Sequence, residues 1–127
     1  RKIFGVKYKR EIHAVMCFAY TNEIPKSVEE LDVMSQDAHL QSTLRGQNVG
    51  KIAIAYTVWS KKKGGGKLIV KEVFNKIKKS NHLNRLVTLS PLTDMAYKFH
   101  IKNGAKLISV NETTQNFEYK VIKNKKY

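Results

Sequence analysis

Asn84-Arg85-Leu86-Val87-Thr88-Leu89-Ser90-Pro91-Leu92-Thr93-Asp94-Met95-Ala96-Tyr97-Lys98-Phe99-His100-Ile101-Lys102-Asn103-Gly104-Ala105-Lys106 joins a strand pattern to a helix pattern, and the rest of the chain is organised around that unit. Leu86 to Ser90 reads as a buried strand, with Leu86, Thr88 and Ser90 alternating against Val87 and Leu89. The strand breaks at Ser90-Pro91, a pair that also suits a helix N-cap followed by a first helical proline. Leu92, Met95, Ala96 and Phe99 recur at i, i+3, i+4 and i+7 and predict an amphipathic helix. Asn103-Gly104 stops it. The unit thus carries a hydroxyl at the strand end and an imidazole, His100, towards the far end of the helix. Ligand clefts in α/β sheets open at the carboxyl ends of such strands.

Upstream, Lys51 to Trp59 is the most continuous apolar strand in the chain, which predicts a central position covered on both faces. Ser60-Lys61-Lys62-Lys63-Gly64-Gly65-Gly66 follows, and then a helical stripe of Leu68, Ile69, Val70, Val73, Phe74 and Ile77. Strand, glycine-rich turn and helix together can present backbone N–H groups and a helix N-terminus to phosphate. The alternative is a surface loop made basic by composition. The Lys-Ser/Thr pair of a P-loop is missing.

The remaining chain supplies further strands. Ile3–Lys9 and Glu11–Tyr20 read as two adjacent strands, with Cys17 in the core. Ser27-x-x-Glu30 is a capping box and predicts a helix from about Val28. A short strand over Leu31–Met34, followed by an irregular or helical piece, is the alternative. Gln41–Val49 is polar and reads as a loop. Ala105–Val110 and Asn116–Ile122 read as strands joined by the turn Asn111–Gln115, and Lys123–Tyr127 as a frayed basic tail. The whole, 1–127, is expected to be a single α/β domain with a mixed central sheet and flanking helices.

Net charge is +14, from 24 Lys and Arg against 10 Asp and Glu. That balance points to an anionic partner: nucleic acid, an acidic membrane or a phosphorylated cofactor. Only four of the 24 are Arg, the residue that best reads phosphate and base edges, so compositional bias is the competing explanation. No apolar run is long enough to span a bilayer. The single Cys17 cannot form an internal disulfide, which fits a reducing intracellular compartment. The chain opens at Arg1 rather than Met, which fits a processed or trimmed product. No metal-ligand cluster and no repeat is visible.

The element order resembles the GNAT acetyltransferase superfamily. Lys61-x-x-Gly64-x-Gly66 is similar to its pyrophosphate loop, Gln/Arg-x-x-Gly-x-Gly/Ala, with Lys61 keeping a donor at the first position. Ala96-x-x-Phe99-His100-x-x-x-Gly104-Ala105 is similar to the GNAT pattern in which a Tyr, here His100, is often the general acid at the coenzyme A sulfur. A narrower resemblance is to malonyl-CoA decarboxylase. It rests on Val87-Thr88-Leu89-Ser90-Pro91, Phe99-His100-x-x-Asn103-Gly104-Ala105 and Asn116-Phe117-x-Tyr119, with Cys17-Phe18-Ala19 and Ile24-Pro25. The family's His after "C-F-A" is missing, as are its helical N-terminal domain and its long insertion between Ser and His.

The resemblance implies an acyl-CoA-binding domain. Lys61 and the backbone of Gly64, Gly65 and Gly66 would hold the coenzyme A pyrophosphate. The strand Lys51–Trp59, at Tyr56 and Val58, would pair with the pantetheine arm. It would lie parallel to Leu86–Ser90, the two diverging at their carboxyl ends. His100 would protonate carbon or sulfur, and Ser90 would orient or relay. A helix starting near Pro91 sets the Cα atoms of Ser90 and His100 on the order of 15 Å apart. A direct hydrogen bond between them therefore calls for a later helix start, or for the strand end to bend back. An acetyl-CoA-dependent N-acetyltransferase and a non-catalytic basic module that binds RNA are the alternatives.

Overall fold

The sheet is centred on the two most apolar segments of the chain, β2 (Glu11–Thr21) and β3 (Ile52–Ser60), which pair antiparallel. The computed structural model describes residues 2–8, 11–46, 50–60, 65–80 and 83–121. Beyond β2 lies β1 (Lys2–Tyr8), and beyond β3 lies β4 (Arg85–Thr88), parallel to it. The short β5 (Ser90–Pro91) continues the line of β4, and both pair antiparallel with one edge of β7 (Thr114–Tyr119). The other edge of β7 takes β6 (Lys106–Val110). This is the mixed α/β architecture expected from the sequence, and β3 and β4 are parallel neighbours as expected.

Helix α1 (Val28–Arg45) starts where the capping box predicts. Ser27 Oγ accepts the Glu30 N–H at 3.1 Å, and Glu29 and Glu30 sit at the positive end of the helix dipole. The strand alternative over Leu31–Met34 is therefore excluded. The expected loop does not begin at Gln41: the helix runs through Arg45, and Gly46 ends it at φ +67°, a left-handed conformation that suits glycine, while residues 47–49 of that expected loop lie outside the described residues. The reason is visible in the packing. Only Leu31 and Ala38 of α1 are buried, so its core-facing stripe is too sparse to read by period.

Helix α2 (Gly65–Lys79) buries Ile69, Val70, Val73 and Ile77. It covers one face of the sheet with Met16, Phe18, Ala53, Ala55 and Leu86, while Leu31 of α1 covers the other with Ile52, Ile54, Val87 and Leu89. Leu68, expected in the stripe, is largely exposed. Helix α3 (Asp94–Lys102) lies on the α2 face, where Phe99 meets the same core. Fully burying a side chain such as Phe117 contributes about 2–3 kcal/mol.

Two expectations about the deciding stretch change. Ser90 does not cap a helix. The cap is Thr93, whose Oγ1 accepts the Ala96 N–H at 3.2 Å, while Ser90-Pro91 pairs with Gln115 and Thr114 of β7. Strand pairing offered Ser90 a ladder, and the helix could start on the next hydroxyl. The buried face of α3 is also rotated from the predicted stripe. Met95 is 83% exposed and Leu92 is exposed, whereas His100 is buried. Towards the C-terminus, β7 begins at Thr114, inside the expected turn, and the predicted tail lies outside the described residues.

Candidate functional site

The parallel pair β3–β4 stays in register from Ile52↔Arg85 to Ala55↔Thr88. One further bond, the Leu89 N–H to the Ala55 carbonyl at 2.8 Å, closes the contact. Beyond it the strands part. On its β2 side, β3 pairs Ala55 with Phe18 and Thr57 with Cys17, so Tyr56 is an extra residue, a β-bulge. Bulges bend a strand and increase its twist. From Tyr56 to Ser60, β3 therefore has β2 on one side and no ladder partner in β4, while β5 turns to β7. The result is an opening in the sheet at the carboxyl ends of two parallel strands.

Gly65 and Gly66, expected in a loop, are the first residues of α2. Each glycine is a poor helix former, about 1 kcal/mol worse than alanine, but neither carries a side chain to keep a ligand from the backbone. Lys61 and Gly64 lie outside the described residues. The first turns of α1 and α3 carry Glu29, Glu30 and Asp94, whereas that of α2 has no acidic residue. Tyr56 is half-buried against the core on the α1 face, and Val58 stands opposite Met16 in the sheet register.

The wall of the opening on the β4 side is a buried polar knot. Thr88 Oγ1 accepts the Ser90 hydroxyl at 2.8 Å and the Phe117 N–H at 3.1 Å. Asn116, fully buried, donates through Nδ2 to the carbonyls of Thr88 (2.9 Å) and Pro25 (3.0 Å), and its Oδ1 accepts from Asn111 at 2.8 Å. Thr114 donates to the Lys26 carbonyl at 2.6 Å. Gln115 Nε2 donates to the carbonyls of Pro91 (3.0 Å) and Thr93 (3.1 Å), which ties the start of α3 to β7.

His100 reaches the same strand from α3. Its ring lies 4.9 Å from that of Phe117 and 5.0 Å from that of Phe99, centroid to centroid, and Nδ1 is 2.7 Å from the Tyr119 hydroxyl. It is 4% exposed. Burial lowers its pKa from 6.5 to about 4, because desolvation disfavours the imidazolium. Burial also pushes the Tyr119 phenol up. Both groups are neutral at pH 7. Tyr119 in turn lines a groove of about 480 Å³ between α2 and the end of α3, rimmed by Lys71, Lys102 and Lys120.

Of the two side chains singled out for chemistry, Ser90 and His100, each is anchored to or beside β7, but they do not meet. The helix does start later, at Asp94, yet Ser90 bonds Thr88 and His100 bonds Tyr119. The motif blocks do converge: Pro25, Thr88, Ser90, His100, Asn116, Phe117 and Tyr119 form one connected cluster. Sequence reading missed Thr88 and Asn116 as members of the site, although both stand in the quoted motifs. Among the described residues no group of side chains is arranged to hold a metal, and no helix is long and apolar enough to cross a membrane.

This fold, with its parted parallel strands, is the GNAT fold. Several solved structures share it. A GNAT-like decarboxylase, GphF, in complex with isobutyryl-CoA, superposes with a TM-score of 0.72 at 9% identity, over 96% of this chain and 79% of that one. The loading GNATL domain of CurA from Lyngbya majuscula gives 0.67 at 10% identity, over 94% and 76%. An N-acetyltransferase from Staphylococcus aureus Mu50 gives 0.54 at 9% identity, over 92% and 69%. No protein-family model and no curated protein sequence matches the chain.

Proposed function

We propose that this chain, acting as one domain, binds an acyl-coenzyme A thioester in the opening between β3 and β4 and acts on its acyl group. Decarboxylation of a malonyl-type group, or transfer of a short acyl group, is the reaction. The observation that carries the reading is the parting of β3 from β4 after Ala55 and Thr88, with a helix that begins on Gly65 and Gly66 following β3. Beyond the last rung of the β3–β4 ladder, the edge of β3 that faces away from β2 offers main-chain groups at Tyr56 and Val58 to the amides of a pantetheine arm. The N-terminal turn of α2, with Lys61 and Gly64 before it, offers donors to the pyrophosphate.

The chemistry assigned to His100 differs from that of an imidazolium acid. With a pKa of about 4, it is neutral at physiological pH and suits a polarising hydrogen bond rather than donation from a charged ring. A developing enolate or oxyanion on the thioester oxygen needs such a neutral, fixed donor. Ser90 completes the site from the β4 wall.

Transfer to an amine is the second reading, favoured by the shared fold of the Staphylococcus N-acetyltransferase. The two separate by product analysis. Incubation with malonyl-CoA should release carbon dioxide and leave acetyl-CoA, without any amine added. Turnover of acetyl-CoA that depends on an added amine selects the second reading. Absence of both, with salt-sensitive retention of RNA, replaces the enzyme with a basic binding module.

A further inference from the structure

The hydroxyls of Thr88 and Ser90 hold a hydrogen that no described residue takes. A threonine oxygen has two lone pairs and one hydrogen. On Thr88 one lone pair receives the Phe117 N–H, so that position is filled whichever way the hydroxyls turn. The 2.8 Å contact between Ser90 and Thr88 uses one of the two hydroxyl hydrogens. The other has no acceptor among the described residues, though Thr88 is 1% and Ser90 5% exposed. Buried polar hydrogens are seldom left without an acceptor.

Position gives that hydrogen a direction of use. Leu89 makes the last bond from this segment to β3, and Ser90 comes next, where the segment turns to β7 and the opening begins. The pair is neutral, and among the described residues no cation bonds to it. A phosphate or carboxylate would call for a charged partner. A neutral carbonyl oxygen that gathers partial charge does not.

We propose that Thr88 is a positioning residue for Ser90: in the free protein its Oγ1 accepts the Ser90 hydroxyl, and when an acyl-CoA binds the two hydroxyls turn, Thr88 donating to Ser90 Oγ and Ser90 donating to the thioester carbonyl oxygen at the edge of the opening. The inference rests on the acyl-CoA reading above. Thr88 acts through Ser90 and through the Phe117 N–H that fixes its own oxygen. No covalent step is involved.

The test is equilibrium binding on the full chain, comparing acetyl-CoA with S-ethyl-coenzyme A, which keeps every group except the carbonyl oxygen. The parent should prefer acetyl-CoA by about fivefold to tenfold, the size of one hydrogen bond. Thr88→Val and Ser90→Ala should each erase the preference and leave S-ethyl-coenzyme A affinity within about twofold of the parent. Thr88→Ser should keep it, since the hydroxyl and not the methyl group does the positioning. If Thr88→Val does not fold, Thr88→Cys takes its place. The proposal fails if the Thr88 variant without a hydroxyl keeps the preference, or if Thr88→Ser loses it. Equal parent affinity for both ligands also overturns it while leaving the acyl-CoA reading intact. No parent affinity for either ligand removes that reading and this inference with it.

Discussion

The Nδ1 of His100 and the hydroxyl of Tyr119 lie 2.7 Å apart inside a core of aromatic rings, so that helix α3 is fastened to strand β7 by a neutral hydrogen bond. The pair has a pH signature. The unfolded chain takes up a proton at His100 near pH 6.5, and the folded chain refuses it until about 4. Folding stability is therefore complete above 6.5, falls as pH drops through 6.5 to 4, and levels off below. The loss from this group is on the order of 3 kcal/mol. Urea unfolding at pH 7.5 and 4.5 should show that difference between the parent and His100→Phe, whose stability should change less over the same interval.

Removing the phenol tests the other half of the pair. Tyr119→Phe leaves Nδ1 buried without its partner and should cost about 1–3 kcal/mol. Thermal melting measures it. A cost within error of zero would mean that water or another group replaces the hydroxyl.

Asn116 should be the least replaceable polar residue in the domain. Its amide joins the segment before α1, the end of β4 and the turn before β7 through Pro25, Thr88 and Asn111. Asn116→Ala strands two buried carbonyls and should lower stability by about 2–4 kcal/mol. That corresponds to a fall in melting temperature on the order of 10 °C. Asn116→Asp should fare no better, because a carboxylate cannot donate to either carbonyl.

Helix α3 distinguishes the two hydroxyls at its approach. Thr93→Ala removes the cap and should cost about 1 kcal/mol. Ser90→Ala removes no cap. Its effect should be on binding or turnover of acyl-CoA more than on melting, and a capping-sized loss of stability with unchanged activity would reduce Ser90 to a structural residue.

Much of this architecture was legible in the residues. The apolar run of β3, the stripe of α2 and the Asn103-Gly104 stop each announce one element through one periodicity or one breaker, and the strand–helix–strand order imposes the parallel pairing. The site was legible only through its motifs. Nothing in the period of α3 says that His100 points inward while Met95 points out, since a buried imidazole counts as polar in any pattern. Ser90-Pro91 satisfies the sequence rule for a cap, and only the competition from Thr114 and Gln115 at the start of β7 decides otherwise. The bulge at Tyr56 is set by the register against Phe18 and Cys17, a long-range fact with no local sign. Asn116 looks like an ordinary turn residue until its carbonyl partners are known.

Calorimetric titration of the chain with acetyl-CoA and malonyl-CoA, repeated with Gly65→Val and Gly66→Val together, decides whether the opening is an acyl-coenzyme A site. Saturable binding at one site is expected for the parent. The double variant should lose at least about tenfold in affinity, because side chains at the start of α2 block approach to its N–H groups. It should melt no lower than the parent, since valine is a better helix residue than glycine. No heat of binding at millimolar ligand, or equal affinity in parent and double variant, would contradict the claim that the opening between β3 and β4, with the glycine start of α2, is an acyl-coenzyme A site.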